Sequence, residues 1–317
     1  MRVCLLAFIV FLAGCTQSSK MELEKQIALN NDAPEKFSVD QQEFEIIPFY
    51  RPYLDYVSEQ HSIKGNSNEA FSSLVVQPLS KEIYGNIYSF QNDLFFTTPT
   101  KLDKLQEKII SLDEQHKEIS AALKEGLEDA ANLLPAEDFK IYLIPYELEY
   151  ESVDMQGVLG FATDQGAMVL FIDPEQYTTE SLKQTAVHEY HHLVFMGMSD
   201  SRNYDLLDKV MMEGKADAFA HALYLDYSVP WIEPLSPEST EIVWSFIEEN
   251  QYSINRDDHY ILQFGSSLEG IPQWSNYRIA FQIMTEFLKN HPQMTIEEWT
   301  MMPAVDIVEG SDRFKLD

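Results

Sequence analysis

At 317 residues with 45% apolar side chains, the chain is long enough for one large domain or two modest ones with cores of their own. Its 52 acidic and 22 basic side chains leave a formal net charge of −30. That balance excludes nucleic acid as a partner, because phosphate binding needs clustered lysine and arginine. The acidity is read as solubility in an exposed compartment, with attraction of basic substrates as the sharper alternative.

Both cysteines fall within the first fifteen residues. Met1-Arg2 precede an apolar run from Val3 to Phe11, followed by Leu12-Ala13-Gly14-Cys15. A run this short falls below the roughly 20 residues that a membrane-spanning helix takes, so residues 1–14 read as a targeting segment. Leu-Ala-Gly-Cys resembles a bacterial lipobox. The resemblance implies cleavage before Cys15 and lipidation of that cysteine, which with more than one acyl chain gives a stable anchor in the cell membrane. An ordinary secretory signal with an incidental cysteine is the alternative. Residues 15–40 are polar and charged and read as a flexible tether. The mature chain would then carry no disulfide, although it lies outside the cytoplasm.

Residues 41–135 read as a mainly helical region. The dense apolar run from Phe44 to Val57 predicts a helix from about Pro48, with a strand as the alternative. Residues 61–68 form a loop, and 70–88 a weakly patterned helix. From Lys101 to Leu134, apolar residues at helical spacing predict one long helix or two in sequence. Beyond Pro135 the pattern changes. Phe139 to Ile144, Gly157 to Ala162 and Ala167 to Ile172 predict strands, the last two joined by a hairpin turn at Thr163-Asp164-Gln165-Gly166. Thr178 or Thr179 caps a following helix. Helices are again expected at 243–249 and 277–288, with short closing helices at 296–299 and 305–308. Residues 255–270 read as loop-rich, forming one wall of a cleft.

The helix after the hairpin carries His188-Glu189-Tyr190-His191-His192, a match to HExxH. On a helix His188 and His192 lie about 40° apart and one turn above each other, so both imidazoles reach one ion. Glu189 projects roughly 60° beyond His192, close enough to hold the attacking water. Leu182, Ala186, Leu193 and Val194 form an apolar back. A catalytic Zn²⁺ needs a third protein ligand and an open fourth position. Glu213, about twenty residues on, is the candidate ligand. Asp217, one turn later, can accept the free ring N–H of a ligating histidine. His191 reads as a packed or exposed histidine outside the ligand set. Tyr277 is the first candidate for the oxyanion donor, with His259 and His221 behind it. The strand from Ala167 to Ile172 is the expected edge for substrate backbone.

HEYHH with Glu213-Gly214-Lys215-Ala216-Asp217 resembles the gluzincins, thermolysin-like metallopeptidases with two histidines and one glutamate. More closely, the chain resembles a bacterial family of predicted Zn-dependent proteases of unknown function, the YjaZ-type lipoproteins. The resemblance rests on Phe171-Ile172-Asp173-Pro174, HEYHH, Glu213-Gly214 and Pro272-Gln273-Trp274-Ser275-Asn276-Tyr277. It covers about Phe139 to the end and, more loosely, the region from Glu43. A glycine expected soon after Tyr277 is replaced by Arg278-Ile279-Ala280, so no close-packing role is carried over to that helix. The implied fold is α+β and zincin-like, with residues 136–317 as the metallopeptidase domain. A small twisted sheet packs on the HExxH helix, and a mostly helical C-terminal part supplies Glu213. The implied activity is hydrolysis of a peptide or protein substrate by a metal-activated water, with Glu189 as general base. The rival is an envelope lipoprotein that binds zinc or unfolded protein without turnover, as a folding or quality-control factor. Glu189 speaks against it, since binding alone needs no base.

Overall fold

The computed structural model describes residues 29–62, 67–90, 95–146, 155–199 and 203–316. The targeting segment, the lipobox and the tether up to residue 28 lie outside the described residues. Among the described residues no helix is long and apolar enough to cross a membrane.

A five-stranded mixed sheet forms the first layer, in the order β1-β2-β3-β5-β4. The strands are β1 (Glu35–Val39), β2 (Gln42–Pro48), β3 (Phe139–Pro145), β4 (Val158–Ala162) and β5 (Ala167–Ile172). β2, β3 and β5 run parallel, and β1 and β4 lie antiparallel on the two flanks. The architecture is thus α+β, as expected. Three details differ from the sequence reading. The residues at 35–39, assigned to the tether, are a strand, and the chain is tied down before it. Asn30 and Asn31 each donate a backbone N–H to the buried Asp113 carboxylate at 2.9 Å. Residues 42–48 are a strand inside the sheet, so the apolar run divides into a strand and the expected helix, which starts at Arg51 rather than Pro48. Most consequential for the site, Ala167–Ile172 is not an edge. It pairs on both sides, and Ala-Met-Val-Leu-Phe-Ile is buried at every position, the pattern of a strand covered on both faces. The edge is β4, whose last four residues are only half buried.

The parallel step from β2 to β3 needs a long crossover. It is made by α1 (Arg51–Ser62), α2 (Ser67–Phe71), a π turn at Ser72–Val76, α3 (Gln77–Tyr84) and α4 (Leu102–Leu133). α4 is one helix, continuous through the spacing that allowed two. It buries Leu105, Ile109, Leu112, Ile119, Leu123 and Leu127 and packs along α5 (Thr179–Met198). The start of α5 is set by Thr178, whose hydroxyl accepts the Ser181 N–H at 3.0 Å while Ser181 returns the bond to the Thr178 N–H at 2.9 Å. This reciprocal cap satisfies donors that the helix cannot.

The rest is helical: α6 (Leu206–Leu223), α7 (Pro237–Asn250), α8 (Arg256–Phe264), α9 (Ser275–Asn290), α10 (Ile296–Met301) and α11 (Ala304–Gly310). α8 corrects the loop-rich reading of 255–270. It was hidden because only Leu262 is buried along it. α6 and α9 approach so closely that a Cβ on Gly214 would stand 2.7 Å from the Ala280 Cβ and carbonyl oxygen. Close packing at α9 is therefore present after all. The glycine that permits it stands on the partner helix, facing Ala280.

Candidate metal centre

α5 is buried over most of its length, and its cleft-facing side carries His188, Glu189 and His192. α6 packs across it and presents Glu213 and, one turn later, Asp217. The Nε2 atoms of His188 and His192 are 3.0 Å apart, and Glu213 Oε2 lies 3.2 Å from the first and 3.3 Å from the second. One ligand atom from each side chain thus converges on a single point. A tetrahedral zinc with bonds of about 2.0–2.1 Å places its ligand atoms about 3.3 Å apart. The observed triangle matches three corners of that figure, and all three side chains line the cleft. The residues fit a zinc ion.

Asp217 Oδ1 lies 2.9 Å from His188 Nδ1. With the Nδ1–H donated there, the lone pair of Nε2 faces the triangle. Burial pushes the His188 imidazole toward the neutral form, but Asp217, Glu213 and Glu189 outweigh it and raise its pKa well above the usual value. Burial likewise opposes ionisation of Glu213, yet the two histidines hold that carboxyl below its usual range. Both effects express one fact: a dense set of acidic side chains surrounds two imidazoles and favours positive charge between them.

His191 faces away. Its Nε2 lies 3.1 Å from Thr300 Oγ1, and its ring stacks on Trp299 with centroids 5.5 Å apart. Burial lowers its pKa well below the usual value, so it packs α5 against α10 as a neutral ring, outside the ligand cluster.

Comparison with known proteins supplies a family. Residues 119–309 match the family described as "Predicted Zn-dependent protease (DUF2268)". The chain belongs to that family. It is also similar to the uncharacterized protein YjfC of Bacillus subtilis (strain 168), with 24% identity over 172 residues. That alignment covers 50% of this chain and 56% of YjfC, so the chain spans little more than half the relative's length. No solved structure matches.

The cluster opens into a cleft of about 400 Å³. Glu189 lines it beside the ligand triangle. Burial raises the Glu189 pKa, against the pull of His188 and His192 and a smaller lowering from the nearby Ala162 backbone. Gly160 stands beside it: a Cβ there would lie 2.6 Å from Glu189 Cγ and 2.9 Å from Oε1. The edge strand therefore touches the carboxylate directly. Neither Gly160 nor Ala162 was singled out from the sequence. The available signal was a glycine inside a strand, which often marks a close approach.

Tyr277 and His259 also line the cleft. The Tyr277 ring lies 6.4 Å from that of His188. Burial and the charges of Glu213, Asp217 and Glu189 push its phenol well above the usual range, so it remains a proton-bearing donor. His221 does not line the cleft; its ring packs edge-on against Phe281. Lys215, also missed, is buried beneath α6. It donates to the carbonyl oxygens of Thr300 at 2.9 Å and Met302 at 2.7 Å, and lies 4.9 Å over the Phe195 ring. It fastens α10 to the helix that carries Glu213.

Proposed function

We propose that this chain is a zinc metallopeptidase that hydrolyses peptide bonds in peptide or protein substrates. The observation that carries the reading is the triangle of His188, His192 and Glu213 ligand atoms with the Glu189 carboxylate beside it, all facing one open cleft. A zinc ion held there supplies Lewis-acid polarisation and water activation. Glu189 accepts the proton of the attacking water and returns it to the leaving amine. Tyr277 donates to the developing oxyanion, with His259 as the second donor on the cleft wall.

Substrate backbone adds to β4 rather than to β5. Asp173 N–H donates to the Gly157 carbonyl and Thr163 N–H to Ala167, each at 2.8 Å. By the alternation of an antiparallel ladder, Leu159 and Phe161 bond to β5, while the backbone groups of Gly160 and Ala162 and the Val158 carbonyl face outward; the Val158 N–H is taken by the Met155 carbonyl at 3.1 Å. We further propose that the N-terminal segment is cleaved and Cys15 acylated, anchoring the enzyme on the extracytoplasmic face of the bacterial cell membrane.

Metal analysis together with a mass-spectrometric digest of a peptide library tests the activity. The purified protein is expected to hold about one zinc per chain and to cleave library peptides. Glu189→Gln is expected to abolish cleavage with zinc retained. Metal-free protein with the cluster intact overturns the reading. Zinc without cleavage of any peptide favours a binding protein.

A further inference from the structure

The cleft carries charges that the hydrolytic step does not use. Arg256, His259, Tyr260 and Gln263 stand at i, i+3, i+4 and i+7 of α8 and all line it. This spacing places them on one helical face. The acids of the same helix, Asp257 and Asp258, lie off the cleft; Asp257 is exposed, and Asp258 is half-buried and accepts the Ser253 hydroxyl. α8 thus sorts its charged side chains, with Arg256 and His259 on the cleft side and both acids off it. Lys209, one turn before Glu213 on α6, lines the same space.

Neither cation is neutralised. Among the described residues, no ion pair joins Lys209 or Arg256 to a carboxylate. The Glu213 carboxylate is directed at the two histidines, and Glu189 is held against β4. In a chain with a net charge of −30, two cations without an acidic partner in one cleft stand out against the composition. Arg256 is also held in place: its Nη2 donates to the Tyr260 hydroxyl at 2.7 Å, and the guanidinium lies 5.5 Å from the Tyr260 ring centroid. Its other N–H donors remain for a ligand, in the fork geometry that suits a carboxylate.

We propose that Arg256 and Lys209 recognise a carboxylate on the substrate, so that the enzyme selects peptides bearing a negative charge beside the scissile bond. The inference rests on reading the cleft as a peptide-binding site. The carboxylate is either the C-terminus of the peptide or an Asp or Glu side chain. Charge-assisted hydrogen bonds from the exposed Arg256 and the half-buried Lys209 predict a preference of about tenfold over a neutral isostere.

Binding is read by fluorescence polarisation on the zinc-loaded Glu189→Gln protein. The probes are two pairs of labelled peptides, one comparing a C-terminal carboxylate with its amide, the other comparing an internal Glu with Gln in an amidated peptide. The acidic member of one pair is expected to bind about tenfold tighter, and the preference is expected to shrink as salt rises. The pair that shows it names the source of the carboxylate. Adding Arg256→Gln and Lys209→Gln should collapse the ratio toward one, while Arg256→Lys retains part of it. Equal binding within both pairs, or no binding by any probe, overturns the proposal without recourse to a variant. A preference that survives the double substitution also overturns it, since the carboxylate is then held by the metal. Acid preference without cleavage by the unsubstituted protein would sink the hydrolytic reading alone. Cleavage without preference would sink only this one.

Discussion

Gly160→Ala separates the position of the general base from the stability of the fold. The new Cβ would stand 2.6 Å from Glu189 Cγ, 2.9 Å from Oε1 and 3.0 Å from Cδ. Ordinary carbon–carbon contact begins near 3.4 Å, so the carboxylate stem must retreat by about 0.8 Å. The obstructing atoms belong to one side chain that opens onto the cleft, and Gly160 has no left-handed backbone to lose. The cost in stability should therefore stay at about 1 kcal/mol or less. The cost in rate should be large, because a displacement near 1 Å at a catalytic group costs on the order of 100-fold. The decisive assay measures kcat/KM on a library-derived peptide beside urea unfolding and zinc content. Activity is expected to fall about 100-fold while stability and metal stay near their original values. Unchanged activity would refute the placement of Glu189 as the base. A stability loss of several kcal/mol with proportionate loss of metal would show that the strand, and not the carboxylate, gives way.

Three further substitutions probe the supports of the cluster. Asp217→Asn weakens the acceptor that orients His188 and should lower zinc affinity about tenfold, measured by chelator competition; an unchanged affinity would mean that Nδ1 needs no acceptor. Gly214→Ala drives a Cβ to 2.7 Å from both the Cβ and the carbonyl oxygen of Ala280, where backbone cannot yield cheaply. It should cost about 2–3 kcal/mol in urea unfolding, and a neutral result would refute the close contact of α6 and α9. Lys215→Met leaves the Thr300 and Met302 carbonyls unpaired and should cost about 2–4 kcal/mol near neutral pH. Burial pushes the Lys215 ammonium from 10.5 down to about 8, so between those values the unfolded chain holds a proton that the folded chain has released. Stability of the parent protein should then rise between pH 8 and 10, and Lys215→Met should flatten the rise.

What was legible in the sequence was local. The 3.6-residue period alone puts His188 and His192 on one face, and the same period puts Asp217 one turn beyond Glu213. The distance from HEYHH to Glu213 is not local, and only the residue types and the family resemblance pointed across it. Strand order was illegible for the same reason: β2, β3 and β5 pair in parallel across crossovers that no window of sequence spans. One clue was readable. Ala167–Ile172 has no polar position, which marks a strand covered on both faces and argues against an edge. β1 escaped because it is mostly exposed and carries Glu35, Lys36 and Ser38 among its five residues, the composition of a protected edge. α8 escaped because its patterned face is turned to the cleft and is polar, so the apolar stripe that reveals most helices is missing.

The edge strand gives the site a coherence that the motif by itself lacks. Two helices suffice to bring His188, His192 and Glu213 together, but by themselves they do not fix the Glu189 side chain beside that cluster. β4 supplies that constraint. The absent side chain at Gly160 lets the Glu189 carboxylate come against the strand, close to the backbone of Ala162. A peptide that adds to the same edge is therefore in register with the base by construction, because one backbone sets both positions. This explains why a glycine stands in the middle of a five-residue strand, where it costs about 0.5–1 kcal/mol of conformational stability, and why a substitution there is expected to cost the chemistry far more than the fold.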